Sequence, residues 1–201
     1  MALEGRLVIL REEELADQKL FAALRNDLDT QAWGKSLPPD TTEAMYVKRF
    51  QAREFSFERN SARLAIVERA SGRLAGVISY NDEAHRLSTS IGIMVAKEFW
   101  GTGVAFDAQE VLLRFLFQEL GLREVHLWTH SGNPHAISLA ERSGFAECTR
   151  LRESVFKNGR LLDAVIMSLP RDAYFARHPE ESDRLPSIVT GEAREEKGRS
   201  A

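Results

Sequence analysis

The 201-residue chain has one cysteine, six prolines and three tryptophans, and its scarcities remove whole classes of protein. Cys148 has no second thiol to pair with, so an internal disulfide and a thiolate zinc cluster are excluded. A reducing compartment, the cytoplasm, is the expectation. No apolar run approaches the roughly 18–20 residues that span a bilayer. The opening Met-Ala-Leu-Glu-Gly-Arg lacks the charged-then-apolar order of a signal peptide. An excess of one charge is lacking too. Twenty-seven basic against 30 acidic residues give a net −3, which disfavours a nucleic-acid binder. What is present suffices for a globular fold: 43% hydrophobic and 28% charged residues can fill and cover one core.

Periodicity divides the chain into short elements. Arg6 to Arg11 reads as a first strand, and Asp17 to Asn26 places Leu20, Phe21 and Leu24 at helical spacing. Trp33 to Asp40 reads as a loop with paired prolines, and Thr41 or Thr42 can cap a second helix. Three strand-like segments follow, Ala62 to Glu68, Arg73 to Tyr80 and Leu87 to Val95, the first two joined by a small-residue turn. Gly103 to Leu120 carries the clearest helical pattern, with Val104, Ala108, Val111, Leu112, Phe115, Leu116 and Leu120 on one face. Glu124 to Thr129 reads as a strand and Pro134 to Ser143 as a helix opened by proline. Glu147 to Phe156 and Leu161 to Leu169 form a hairpin around Asn158-Gly159. The order implies a mixed, mostly antiparallel sheet with one strand–helix–strand crossover. Residues 1–170 are expected to form the domain. Residues 171–201 add a helical turn, Asp172 to Arg177, and a polar tail expected to be disordered.

The chemistry concentrates at Glu98-Phe-Trp-Gly101-Thr-Gly103-Val-Ala105, where a strand ends and a long helix begins. Successive backbone N–H groups at such a helix start make a concave site for pyrophosphate. A Rossmann dinucleotide fingerprint is disfavoured, because Phe106 stands where the third glycine belongs. Thirty residues on comes Asn133-x-x-Ala136-Ile137-x-Leu139-Ala140-Glu141-Arg142-x-Gly144-Phe145, followed by Arg150-x-Arg152-Glu153, Asn158-Gly159 and Asp163. Together these resemble the GNAT N-acetyltransferase superfamily, and the last set resembles its ribosomal-protein N-acetyltransferase branch. The similarity runs from about Leu7 to Leu169.

The resemblance implies an α/β GNAT fold whose central strands, Leu87–Val95 and Glu124–Thr129, splay apart and are flanked by helices. It implies acetyl-CoA as cosubstrate, no metal, and direct acetyl transfer to a primary amine, in this branch a protein N-terminus. Donor-binding candidates are Met94, Val95, Lys97, Gly101, Thr102, Gly103, Val104, Ala105, Asn133 and Arg142. Val95 N–H would polarise the thioester carbonyl. Two departures stand out: Ala140 occupies the place of a tyrosine acid, and Ser90 that of a glutamate base. Replacement catalytic candidates are Glu153, His130 and Ser138, and the acceptor wall candidates are Trp33, Tyr80 and Phe156. An amine of pKa about 7.7–8.0 is roughly 10–20% neutral at pH 7, against under about 0.1% for lysine. A site without a strong base therefore suits an α-amine. The alternatives are a small-amine acceptor (polyamine, amino sugar or antibiotic) and a catalytically weak acyl-CoA sensor. Homodimerisation through an exposed sheet edge or the tail is a further expectation.

Overall fold

Apolar residues at alternate positions set the sheet, and the helices cover what the strands leave apolar. The structure, a computed structural model, describes residues 2–27, 29–30, 42–52, 61–82 and 87–182. In chain order the strands and helices are β1 (Ala2–Glu4), β2 (Val8–Glu12), α1 (Gln18–Asn26), α2 (Glu43–Gln51), β3 (Ala62–Glu68), β4 (Leu74–Asp82) and β5 (Ser88–Val95), then α3 (Val104–Gln118), β6 (Glu124–His130), α4 (Pro134–Arg142), β7 (Ala146–Lys157), β8 (Arg160–Pro170), α5 (Arg171–Arg177) and α6 (Pro179–Ser182). The eight strands form one sheet in the order β1-β2-β3-β4-β5-β6-β8-β7. Every neighbouring pair is antiparallel except β5 and β6, which α3 joins as the crossover the sequence implies.

The β5–β6 pair sets up the site. Its register runs only from Ser88↔Glu124 to Ile91↔Leu127, after which the strands part. Beyond that point β5 stays paired to β4 through Val95, and β6 to β8 through His130. A wedge therefore opens between residues 92–95 and 128–130, as the family resemblance implied.

Parity assigns the two faces. Ile91, Val95, Val125 and Leu127 are buried with Val104, Ala108, Leu112 and Leu116 of α3 in the main core. On the other face, Phe21 of α1 packs on Ala65 and Val77, with Met94 against it. Ser90 and His126 are register partners, so Ser90, Met94, Trp128 and His130 share the α1 face. The hairpin turn follows the sequence signal, with Asn158 and Gly159 both left-handed at φ 50° and 72°. Thr42 caps α2, accepting from Met45 N–H at 3.2 Å.

Three readings are corrected. Strand β1 escaped the pattern, because three residues with alternating exposure are ordered by pairing to β2 and not by their own apolarity. Leu120 lies past the end of α3 and is exposed, since the helix stops at Gln118. The domain runs beyond residue 170: Tyr174 of α5 is fully buried and its ring stacks on Phe117 at 4.8 Å. Trp33 and residues 184–201 lie outside the described residues. No described helix is long and apolar enough to cross a membrane.

Candidate active site

On the α3 side the site is made of backbone. After β5 a 3-10 turn (Lys97–Phe99) leads into Gly101 and Gly103, which adopt φ 74° and 90°. That left-handed region favours glycine, so the loop needs these residues where they stand. Gly103 is the N-cap of α3, and the first-turn N–H groups from Val104 onward have no acceptor within the helix. Such an array suits an anion of the size of a pyrophosphate. Asp107 in that turn faces elsewhere: its carboxylate accepts from Leu7, Val8 and Arg6 N–H at 2.7, 3.0 and 3.3 Å. It thereby ties the β1–β2 turn to the start of α3.

The wedge supplies a second set of backbone groups. Ala96 N–H bonds Ala75 O at 2.8 Å, so alternation aims the N–H and C=O of Val95 into the wedge. The indole N–H of Trp100 donates to Val95 O at 2.8 Å, which joins the end of β5 to the glycine loop. Trp100 itself is 45% exposed. Its signal was its position beside Gly101, within the loop itself.

The remaining donor-side candidates divide. Arg142, at the end of α4, holds its guanidinium 4.4 Å over the ring of Phe106 and so overhangs the first turn of α3. Lys97 instead binds Asp27 and Asp29 at 2.9 and 2.7 Å. These hydrogen bonds raise the Lys97 pKa and, from the other side, lower that of Asp27. Asn133 is buried and caps α4, its Oδ1 accepting from Ala136 N–H at 3.1 Å. Met94 is half-buried on the α1 face beside Phe21.

The acceptor-side candidates scatter. His130, the last residue of β6, is only 1% exposed and lies opposite Ala164 of β8. Glu153 sits on the edge strand β7, in a bulge between Leu151 and Val155. Its φ of 49° is left-handed, and its N–H donates to Asp163 Oδ1 at 3.0 Å. That hydrogen bond, then the Arg150 guanidinium, holds the Asp163 carboxyl below the usual range. Ser138 is exposed on α4. Tyr80 belongs to the α3-side core, 6.3 Å from the ring of Phe115, whereas Phe156 is 69% exposed on β7. Ala140 is fully buried, and Cys148 is exposed with its thiol 3.4 Å from Ile166 O. Burial, with Arg25 second, pushes the Lys157 ammonium below the ordinary lysine value.

The glycine loop, the helix start and the splayed strands fit an acyl-CoA by shape and donor set. Comparison with known proteins agrees. The acetyltransferase (GNAT) domain family model matches residues 7–146. A putative ribosomal N-acetyltransferase of Bacillus subtilis is 36% identical over 100 residues, 49% of this chain and 54% of that protein. The chain thus spans about half the length of that relative. Spermidine N(1)-acetyltransferase of Vibrio cholerae is 29% identical over 173 residues, 84% of this chain and 95% of the relative. A crystal structure of spermidine N-acetyltransferase from that organism, with CoA and spermine, superposes with a TM-score of 0.75 at 23% identity, covering 84% of this chain and 98% of the other. The chain belongs to the GNAT acetyltransferase family and is an N-acetyltransferase that uses acetyl-CoA.

Proposed function

We propose that the protein transfers acetyl from acetyl-CoA to the α-amine of a peptide or protein N-terminus. One observation carries this reading: the splayed residues 92–95 and 128–130 include no carboxylate, and their one ionisable side chain, His130, is buried with both ring nitrogens enclosed. A site without an exposed strong base needs an acceptor that is already partly neutral. An α-amine of pKa about 7.7–8.0 is roughly 10–20% neutral at pH 7, and a lysine-like amine under about 0.1%. Such a site serves an α-amine and serves a polyamine poorly.

In this reading the N–H groups of Gly101, Thr102, Gly103, Val104 and Ala105 receive the pyrophosphate, and Arg142 approaches the phosphates. Lys97 contributes less, because its ammonium already lies between two carboxylates. Val95 N–H polarises the thioester carbonyl. The neutral fraction of the α-amine, its ammonium proton lost to solvent, attacks the carbonyl carbon; the C–S bond breaks, and the nitrogen's surplus proton leaves for the departing thiolate or solvent. A thiol of pKa about 8.5 departs as thiolate without a dedicated acid, which suits Ala140.

A second reading, acetylation of a polyamine, is favoured by the full-length similarity to the Vibrio cholerae spermidine enzyme. Thiol release from acetyl-CoA at pH 7.5 separates the two, with a Ser-initiated decapeptide, the same peptide N-terminally blocked, and spermidine. The expected result is a kcat/KM at least tenfold higher for the free peptide than for spermidine, and none for the blocked one. The reverse order would establish the polyamine reading.

A further inference from the structure

Arg142 ends α4, and each of the last four carbonyls of that helix has a partner. Ser143 N–H bonds Leu139 O at 3.2 Å, Phe145 N–H bonds Ala140 O at 3.0 Å, and Gly144 N–H bonds Glu141 O at 2.9 Å. The turn after the helix thus satisfies three of the four groups that a helix end leaves open. The fourth, Arg142 O, accepts from Arg177 Nη2 of α5 at 2.6 Å. A guanidinium in that place also meets the negative end of the helix dipole.

Gly144 makes room for this bond. Its φ of 90° is left-handed, and a Cβ there would stand 2.6 Å from Arg177 Nη1, 2.8 Å from Cδ and 3.2 Å from Cζ. The Arg177 side chain therefore lies along the turn that closes α4. Its own helix is anchored in the core by Tyr174, which stacks on Phe117, and by Arg171, whose guanidinium donates to Phe117 O. From the bonded main chain the Arg142 side chain reaches the first turn of α3, where its guanidinium stands over the Phe106 ring. Arg142 is thus held at both ends, its carbonyl by Arg177 and its guanidinium by Phe106.

We propose that Arg177 is a positioning residue of the donor site, which fixes the main chain of Arg142 and so places the guanidinium that approaches the CoA phosphates. The inference rests on Arg142 having that role. Arg177 acts through α4, because its own guanidinium serves the helix end. A side chain placed in advance spares the ligand the cost of ordering it. For one rotamer-rich side chain that cost corresponds to about three- to tenfold in affinity.

The test uses the full chain with Arg177→Met, Arg142→Ala and the double variant. Binding of CoA is read by isothermal titration, and turnover with acetyl-CoA and the Ser-initiated peptide. Arg177→Met keeps the aliphatic stem beside Gly144 and removes the donor. It should raise the Kd for CoA and the KM for acetyl-CoA about three- to tenfold, the cost of ordering one freed side chain, and leave kcat and the peptide KM within twofold. In the Arg142→Ala background the same substitution should cost nothing further. Arg177→Lys, which returns a donor and a charge to the helix end, should recover part of the affinity. An unchanged Kd in Arg177→Met would overturn the positioning role, and so would an equal loss in both backgrounds, which would put Arg177 on the phosphates itself. Wild-type affinity in Arg142→Ala would instead overturn the reading beneath it. Should Arg177→Met not fold, Arg177→Lys carries the comparison, and its smaller loss must likewise vanish with Arg142→Ala.

Discussion

The two sides of the wedge are built from different materials. On the α3 side the glycine loop, the helix start and the end of β5 present backbone groups, held by Asp107, Trp100 and the main core. On the α1 side the wedge is bordered by single side chains: His130 beneath its turn, Glu153 in a strained bulge, and Lys157 near Arg25. A backbone site depends on conformation and tolerates changes in most side chains around it. A side-chain site changes with each substitution. The relatives this chain resembles are named for ribosomal and for spermidine substrates.

The strongest challenge to this contrast is Gly103→Glu. It forces an L-residue into φ 90°, places a Cβ 3.2 Å from Leu7 Cδ1 and adds a negative charge at the anion site. Acetyl-CoA affinity, measured by isothermal titration, should fall at least 100-fold, about 2.7 kcal/mol. A loss below tenfold would mean that the loop does not hold the phosphates. Asp107→Ala tests the support behind the loop. It leaves three backbone N–H groups of the β1–β2 turn without their acceptor, part of them reachable by water. A stability loss of about 2 kcal/mol is expected from the urea midpoint at constant m-value. Asp107→Asn, which keeps one acceptor oxygen, should recover part of it.

Legibility followed the same division. The strands, the crossover helix and the glycine loop could be read in advance because each rests on a pattern the backbone enforces: strand alternation, a broad apolar helix face, glycine before a helix. The splay of β5 from β6 and the donor role of the loop came only from the family resemblance. The acceptor side could not. Tyr80 and Phe156 were plausible wall residues by type, but strand parity sends Tyr80 into the α3-side core and leaves Phe156 on an edge strand. Lys97 had the right charge beside the loop, and only tertiary contact with Asp27 and Asp29 reveals where its ammonium goes. The bulge in β7 has no sequence signature, since Glu153 is not a residue type that signals a left-handed backbone.

That bulge yields the smallest and most diagnostic effect. A non-glycine residue in the left-handed region costs roughly 1–2 kcal/mol, offset here by the Glu153 N–H bond to Asp163. Glu153→Gly keeps the bond and removes the steric cost, while its greater unfolded-state freedom takes back part of the gain. A net stabilisation of about 0.5–1 kcal/mol is expected in urea. Peptide acetylation should stay within twofold, because Glu153 lies on β7, with β8 between it and β6. A tenfold loss of kcat with preserved stability would assign the proton acceptor to Glu153. Acid sharpens the result. The Asp163 carboxyl titrates below its usual value, so its contribution is complete above the ordinary carboxylate range and fades as pH falls through the lowered value. Once Asp163 is protonated, its hold on the strained Glu153 weakens, whereas glycine has no such strain to be held. The stability advantage of Glu153→Gly should therefore widen at the acid end, and a constant difference across that range would show that Asp163 does not hold the bulge.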